Sequence, residues 1–209
     1  MNWKLPVTDT YFRPILDQNA GGFEIDHLDF ALKYVKKFRC AVDGGAHVGI
    51  WSMHMAKYFT EVMAFEPALD TFECLVENTK SVYPRVVAVH AALGASTGKC
   101  QLASDLTRPG NTGSRMVANY GISTPMVSLD AYVFLTLDFI KLDVEGYEIE
   151  ALKGAREVIE HHKPVLMVEC KNFAPPRLGG PPVVRAYLRE LGYEEVGGIR
   201  NDRVFMPRS

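Results

Sequence analysis

This sequence has no long apolar run, no dense basic stretch and no closely spaced cysteines. No segment approaches the roughly 18 apolar residues of a membrane-spanning helix, and the opening residues MNWKLPVTDTYF lack the apolar core of a signal peptide. The cysteines form no CxxC pair, which argues against a zinc ribbon, a redox dithiol or a radical iron–sulfur centre. We therefore expect reduced thiols, a cytoplasmic location and no membrane partner.

Composition and length are those of an ordinary globular domain. The 209 residues are 47% hydrophobic and 23% charged, with a formal net charge of −2. This near-neutral balance gives no reason to expect nucleic acid as a partner. The length suits one sizeable core, which predicts a single domain over residues 1–209. A homodimer is the default expectation, because two-fold dimers are the commonest oligomers.

Strand-like and helix-like segments alternate along most of the chain. Strands are predicted at 40–44, 62–67, 86–93, 138–146 and 164–170, and helices at 27–38, 50–59 and about 67–80. Two later helices are predicted as well: one contains Ile149 and ends near His162, and the other contains Val184 and ends at Gly192. An N-terminal segment and helix fill residues 1–38, the stretch 94–137 is predicted as an insert or lid, and residues 193–207 as an antiparallel hairpin. The pattern predicts an α/β fold whose mostly parallel sheet has helices on both faces.

The stretch AVDGGAHVGIW (41–51) places an acid and several glycines directly after the first strand, where such folds bind ligands. A dinucleotide loop needs G-x-G-x-x-G/A, and from Gly44 this loop reads only G-x-A-x-x-G. The Asp43 carboxylate would repel a pyrophosphate, whereas it suits the sulfonium and ammonium groups of S-adenosyl-L-methionine (SAM). The alternative is an Asp that satisfies loop amides.

Glu66 ends the second strand, where an acid can accept hydrogen bonds from both ribose hydroxyls of an adenosine. The alternative is a cap for the helix that Pro67 opens. The predicted cofactor-binding residues are those of the loop and of the two following strand ends: Asp43, Gly44, Gly45, Ala46, His47, Gly49, Glu66, Pro67 and Ala92.

The stretches VDGGAHVGIWSMHMA, VMAFEP, VSLDAY and DFIKLDVEGYEIEALKGA resemble the FkbM family of SAM-dependent methyltransferases, over roughly residues 40–170. The resemblance implies a Rossmann-like methyltransferase fold with seven strands in the order 3-2-1-4-5-7-6. It also implies methyl transfer (EC 2.1.1 type), usually to oxygen and often on a sugar, with S-adenosyl-L-homocysteine (SAH) as product. The family's loop commonly reads D-x-G-A-N-x-G, so His47 replaces the usual Asn, and we expect an altered contact to the methionine end of the cofactor.

Methyl transfer to an alcohol needs an oxygen held in line with the sulfonium methyl and a group that takes the hydroxyl proton. The predicted catalytic residues are acids at strand ends, Asp143, Glu145 and Glu169. The structural alternatives are a helix cap for Glu145 and a buried ion pair between Lys141 and Glu169. His90 is expected to be a hydrogen-bonded core residue.

Several alternatives remain open at this point. Asp143, Glu169 and Asn172 could form an all-oxygen magnesium site, but these residue types are common at strand ends, so no metal is predicted. A nucleic-acid methyltransferase would carry a Pro-Pro-aromatic motif after the fourth strand, where this chain reads DVEG, and its APPR segment (174–177) follows the wrong strand. An NAD-dependent oxidoreductase rests on the degraded glycine loop alone, and a binding module without turnover is the last alternative. The prediction is therefore a SAM-dependent methyltransferase acting on a saccharide or another small-molecule hydroxyl.

Overall fold

The structure is a computed structural model that describes residues 2–18, 22–172 and 178–208, so the APPR segment lies outside the described residues. Its strands, in chain order, are β1 (Cys40–Gly44), β2 (Glu61–Phe65), β3 (Val86–Val89), β4 (Ala92–Leu93), β5 (Gly98–Ala103), β6 (Met116–Ala118), β7 (Ile122–Val127), β8 (Phe139–Leu142), β9 (Val165–Glu169), β10 (Tyr193–Ile199) and β11 (Asp202–Pro207). Its α-helices are α1 (Phe12–Gln18), α2 (Ile25–Leu32), α3 (Ile50–Met55), α4 (Leu69–Thr79), α5 (Glu148–Lys153), α6 (Arg156–His162) and α7 (Gly180–Glu190).

Seven strands form the central sheet in the order β3-β2-β1-β8-β9-β11-β10. The first five are parallel, and β11 runs antiparallel to both β9 and β10. Numbered by chain order within this sheet, the arrangement is 3-2-1-4-5-7-6. The predicted fold class is therefore confirmed.

Helices cover the sheet on both faces because successive residues of a strand point to opposite sides. Ala41 of β1 packs in a cluster with Leu28 of α2 and Met55 of α3, whereas the next residue, Val42, packs in a second cluster with Leu152 of α5. All five residues of β1 are buried. None of the described helices has the length and apolarity that crossing a bilayer would require.

Two predicted elements are interrupted in the structure. The strand predicted over 86–93 bends after Val89, where the Ala91 N–H donates to the Val89 carbonyl at 3.0 Å, and β4 then pairs with β7 outside the central sheet. The helix predicted to run to His162 is broken at Gly154 into α5 and α6. A Cβ on Gly154 would lie 2.0 Å from the Gly94 carbonyl oxygen, so this close approach selects glycine.

Helix boundaries also differ from the sequence pattern. The helix predicted at 27–38 begins at Ile25 and ends at Leu32, and the one predicted at 50–59 ends at Met55. Periodicity marked the buried faces correctly, but apolar residues continue into the turns that follow each helix. The short helix α1 was not predicted.

The segment predicted as an insert contains β5, β6 and β7, which form a second sheet together with the preceding β4 in the order β4-β7-β5-β6. The N-terminal segment contacts a loop of this insert, since the Thr10 N–H donates to the Gly110 carbonyl at 3.0 Å. Together these two parts lie over the carboxyl ends of the central strands, and they supply part of the lining of the cavity described next.

Candidate active site

A cavity of about 280 Å³ lies at the carboxyl ends of the central strands. Its floor contains residues from the loops after β1, β2, β8 and β9. The N-terminal segment and the insert supply much of the wall, together with α3 and β4. The volume is close to the lower end of known small-molecule pockets, at roughly 300 Å³. The predicted site residues that line it are Gly45, Ala46, His47, Glu66, Pro67, Ala92, Asp143, Glu145 and Glu169.

Gly45 follows β1 in a conformation that only glycine adopts easily, with φ at +77°. A Cβ there would lie 1.9 Å from the carbonyl oxygen of Asp143 in the neighbouring loop. The amides of Gly45 and Ala46 both donate to the carbonyl of Phe65, at 3.0 and 2.9 Å. These two loop N–H groups are therefore already bonded within the protein.

Three predicted cofactor residues do not line the cavity. Gly44 ends β1 beneath the side chains of Leu142 and Leu93, and Gly49 precedes α3 with φ at +90° against Leu75. Asp43 is the third, and its side chain is fully buried. All three residues pack beneath the glycine loop and support it, and none of them faces the cavity.

Asp43 is bonded to other residues of the protein core. The Ser52 hydroxyl donates to Asp43 Oδ2 at 2.6 Å, and Lys141 Nζ lies 3.1 Å from Oδ1. The parallel register of β1 and β8 pairs these two residues directly. Asp43 therefore does not face the cavity, whereas its partner Lys141 lines it.

Lys141 links β8 to the glycine loop. Its Nζ donates to the Gly45 carbonyl at 2.8 Å and lies 5.2 Å from the Trp51 ring centroid. Burial works to lower the pKa of Lys141, but the charges of Asp43 and Asp143 outweigh it and raise that pKa. The structural alternative of an ion pair between Lys141 and Glu169 is wrong, because Lys141 pairs with Asp43. The sequence shows a lysine inside a buried strand, which indicates a buried ion pair, but it does not show which acid is the partner.

Glu66 faces the cavity from the end of β2. Its Oε2 accepts the His47 N–H at 2.9 Å, and its Oε1 accepts the Ala68 N–H at 2.8 Å at the start of α4. Burial, only partly offset by these two amides, raises the pKa of Glu66 to about 7. The capping role and a place in the cavity wall are thus compatible, since each carboxylate oxygen keeps a second lone pair.

Asp143, Glu145 and Glu169 form a group that we call the acid trio. Each offers a carboxylate oxygen within 4.8 Å of the others. Lys171 Nζ lies 3.3 Å from Glu145 Oε2 and 3.7 Å from Glu169 Oε1. Arg108, from the insert, approaches Glu145 Oε2 at 3.4 Å.

The trio concentrates negative charge in a partly buried place. Burial, followed by the charge of Asp143, raises the pKa of Glu169 to about 10. The same two causes raise the pKa of Glu145. Glu169 Oε2 is buried and has no hydrogen-bond partner in the part of the chain that the structure describes. Crowding of the three carboxyl groups therefore favours retention of a proton within the trio.

An oxygen set of this kind could also hold a divalent cation. The structure brings Asp143 and Glu169 together as the magnesium hypothesis required, with Glu145 as the third oxygen ligand. Asn172 is exposed and does not line the cavity. Since Lys171 already lies between Glu145 and Glu169, a cation would have to displace it or bind beside it.

Other residues of the wall were not found from the sequence. Tyr11, Phe12 and Phe23 enter from the N-terminal side, and Arg108, Thr112 and Arg115 from the insert. These segments lacked any motif, so only the tertiary contacts reveal their role. His90 is a satisfied residue outside the cavity, as expected, with Nε2 3.0 Å from the Pro67 carbonyl and its ring stacked on Phe72.

Comparison with known proteins gives consistent matches. The family described as Methyltransferase FkbM domain matches residues 43–195. Methyltransferase sdnD of Sordaria araneosa is 26% identical over 192 residues, covering 73% of each chain. Hexuronic acid methyltransferase AglP of Haloferax volcanii is 28% identical over 123 residues, which are 56% of this chain and 50% of AglP.

Two solved structures share the fold. Methyltransferase FkbM from Methylobacillus flagellatus superposes with a TM-score of 0.57 at 21% identity, over 81% of this chain and 44% of its own. SMU.1697c from Streptococcus mutans, a complex with SAH, has a TM-score of 0.53 at 11% identity, over 88% and 94% of the two chains. This chain thus spans about half the length of AglP and less than half of the Methylobacillus protein.

Proposed function

Because this chain belongs to the family of FkbM methyltransferase domains, we propose that it transfers the methyl group of SAM to a hydroxyl oxygen of a saccharide or another small molecule. The observation that carries the proposal is a cavity with Glu66 at one strand end and the acid trio at two others. Glu66 supplies hydrogen-bond acceptors for a nucleoside, and the Asp143 carboxylate supplies negative charge for a sulfonium. The family assignment removes the support for an NAD-dependent oxidoreductase.

The residues present fit SAM. Glu66 can accept hydrogen bonds from the ribose hydroxyls, and the Asp143 carboxylate attracts the sulfonium charge. The amides of Gly45 and Ala46, which a pyrophosphate would need, already donate to Phe65. We therefore assign cofactor contacts to the residues that line the cavity around Glu66: Gly45, Ala46, His47, Pro67 and Ala92.

Bound SAM would supply an electrophilic methyl group, and the protein must hold the acceptor oxygen in line with it and remove the hydroxyl proton. We assign the proton-accepting role to the Asp143 carboxylate. Glu169 holds its proton at neutral pH and can donate a hydrogen bond to the acceptor through its unpartnered carboxyl oxygen. Glu145, held by Lys171 and Arg108, positions that end of the cavity.

A saccharide acceptor is supported by the relative AglP, which is named a hexuronic acid methyltransferase. Lys171 and Arg108 beside the acid trio add donors that could hold sugar hydroxyls. The fold by itself does not select a substrate, so the acceptor class is the part of the proposal that most needs measurement.

The first test is ligand binding by calorimetry and thermal shift with SAM, SAH and NAD. We expect the two adenosyl sulfur ligands to raise the melting temperature and NAD to leave it unchanged. At 100 times Kd a ligand stabilises the fold by about 2.7 kcal/mol, which is easily resolved. Stabilisation by NAD alone would refute the cofactor assignment.

The second test is transfer of labelled methyl from SAM to a panel of neutral and acidic sugars, with and without EDTA. We expect methylation of a sugar hydroxyl that persists in EDTA and is lost in Asp143→Asn. Loss of activity in EDTA, restored by magnesium, would assign the acid trio to a metal instead. Methylation of DNA or RNA in preference to sugars would overturn the acceptor class.

We further propose a cytoplasmic, single-domain protein that forms a homodimer and needs no metal, membrane or nucleic acid. The reducing location is supported by four unpaired cysteines, two of them buried. Burial raises the thiol pKa of Cys40 and of Cys170 to about 12, so neither is a reactive thiolate. Analytical ultracentrifugation tests the dimer, and a monomer at micromolar concentration would exclude it.

A further inference from the structure

Three side chains from distant parts of the sequence form a hydrogen-bonded chain at the cavity wall. His47 Nε2 lies 2.8 Å from the Thr112 hydroxyl oxygen, and that hydroxyl bonds to Asp9 Oδ2. Asp9 belongs to the N-terminal segment, Thr112 to the insert and His47 to the glycine loop. Asp9 is 4% exposed and Thr112 5%, so water does not compete freely for these bonds.

The direction of each hydrogen bond follows from the chemistry of the groups. Both Asp9 oxygens face N–H donors and therefore act as acceptors: Oδ1 accepts the Phe12 N–H at 2.7 Å, and Oδ2 accepts the Thr112 N–H at 3.4 Å. The single hydroxyl proton of Thr112 must therefore point to Asp9 Oδ2. The Thr112 oxygen can then only accept from the ring of His47, so His47 carries its proton on Nε2.

The other ring nitrogen of His47 is left as an acceptor. No group in the described ranges bonds to Nδ1. His47 itself lines the cavity, and its ring packs on Phe12 with 4.5 Å between centroids. Burial lowers the pKa of His47 to about 4; Arg115 and Lys141 add to this, whereas Asp9 and Asp70 oppose it. The imidazole is therefore neutral at physiological pH, with a bare Nδ1.

We propose that Asp9 and Thr112 are positioning residues that hold His47 as the Nε2–H tautomer, so that its Nδ1 accepts a hydrogen bond from the ammonium group of the bound cofactor's amino-acid arm. This inference rests on the proposed function. The opposite tautomer would present an N–H donor to a group that can only donate. The backbone also suits a histidine, because His47 has φ at +50°, a conformation in which Asn, Asp and His are enriched.

The tautomer can be measured in the free protein by long-range ¹H–¹⁵N NMR of the His47 ring. We expect Nδ1 to resonate as an unprotonated nitrogen and Nε2 as a protonated one. Thr112→Val removes the hydroxyl at constant shape and should give a mixture of tautomers, whereas Thr112→Ser should restore the single form. An Nδ1–H ring in the unmodified protein would overturn the proposal.

Asp9→Asn gives a sharper test. The Phe12 N–H donates at 2.7 Å and the Thr112 N–H only at 3.4 Å, so the amide oxygen of the new side chain should face Phe12 and the NH₂ group should face Thr112. Thr112 would then donate to His47 Nε2, and the ring should switch to the Nδ1–H tautomer. An unchanged ring spectrum in a folded Asp9→Asn variant would contradict the relay.

Ligand affinity tests the contact itself. We expect Thr112→Val and Asp9→Asn to weaken SAH binding about tenfold, and Thr112→Ser to stay within about twofold. None of the three substitutions should change the affinity for 5′-methylthioadenosine, which lacks the amino-acid arm. An equal loss for both ligands would refute the ammonium contact. If no adenosyl ligand binds, the proposed function fails, while the NMR spectra still decide the tautomer.

Discussion

Replacing Glu66 by Gln tests the assignment of the nucleoside end of the cavity. The substitution keeps the size of the side chain and removes its charge and one of its two acceptor oxygens. In the structure those oxygens accept the amides of His47 and Ala68 and keep lone pairs for a ligand. The variant should therefore lose much of its affinity for SAH while it remains folded.

The magnitude follows from the contacts. Hydrogen bonds to a charged group contribute roughly 1.5–3 kcal/mol each, so losing one to a ribose hydroxyl and weakening the other should cost about 2–3 kcal/mol. This corresponds to a Kd that is about 30–150 times higher. Stability should change less. In the variant one backbone N–H loses its acceptor, which destabilises the fold by about 1–3 kcal/mol. Above pH 8 the unmodified protein must ionise Glu66, whose pKa is about 7 instead of 4.5, at a cost of about 3 kcal/mol. The variant avoids this cost, so the two effects oppose each other.

Titration calorimetry with SAH between pH 5.5 and 8.5 measures both effects. Ribose hydroxyls bind the ionised carboxylate, so affinity should rise as pH increases through about 7, with proton release on binding. Glu66→Gln should flatten this pH dependence. Glu61→Gln, at the exposed start of the same strand, is the matched control and should bind normally. Unchanged affinity in Glu66→Gln, or an equal loss in the control, would refute the assignment.

The remaining predictions concern stability, measured by urea and thermal unfolding. Gly45→Ala should destabilise the fold by about 3 kcal/mol or more, because its Cβ meets a backbone carbonyl that cannot move away. Lys141→Met should cost about 3–5 kcal/mol, because it leaves a buried carboxylate without its cation. The free energy of unfolding should fall by several kcal/mol as pH rises from about 5 to about 8. Glu66 and Glu148, each with a pKa near 7, keep their protons in the folded state where the unfolded chain has lost them, and Glu169 with a pKa near 10 does the same.

Each of these has its own control. Gly98→Ala should be nearly neutral, since no atom lies within 4 Å of the added Cβ, and an equal cost at both glycines would show that the carbonyl contact is unimportant. Adding Asp43→Asn to Lys141→Met should recover most of the lost stability, and a further loss would contradict the ion-pair explanation. Stability that rises with pH over the same range would show that the buried glutamates are ionised in the fold.

The sheet and its order followed from local patterns and one family resemblance. Strands such as 86–89 are continuous apolar runs, and most helices show their buried face through the spacing of apolar residues, so both can be predicted without knowing the segments they pack against. Breaks inside elements could not be read in this way. The bend after Val89 and the interruption at Gly154 depend on contacts with other segments, and the residues on either side keep the apolar pattern of a continuous element.

The site residues likewise fall into those that the sequence could predict and those that only tertiary contacts reveal. The amino-acid sequence by itself determined which acids stand at strand ends, because Glu66 and Asp143 directly follow recognisable strands and Glu169 is the last residue of one. Only the tertiary structure decided that Asp43 turns inward to Lys141, because parallel pairing of β1 with β8 joins residues far apart in the chain. It also decided the cavity wall contributed by the N-terminal segment and the insert. Those residues carry no periodic signal, and a side chain's partner is set by packing in space rather than by its neighbours in sequence.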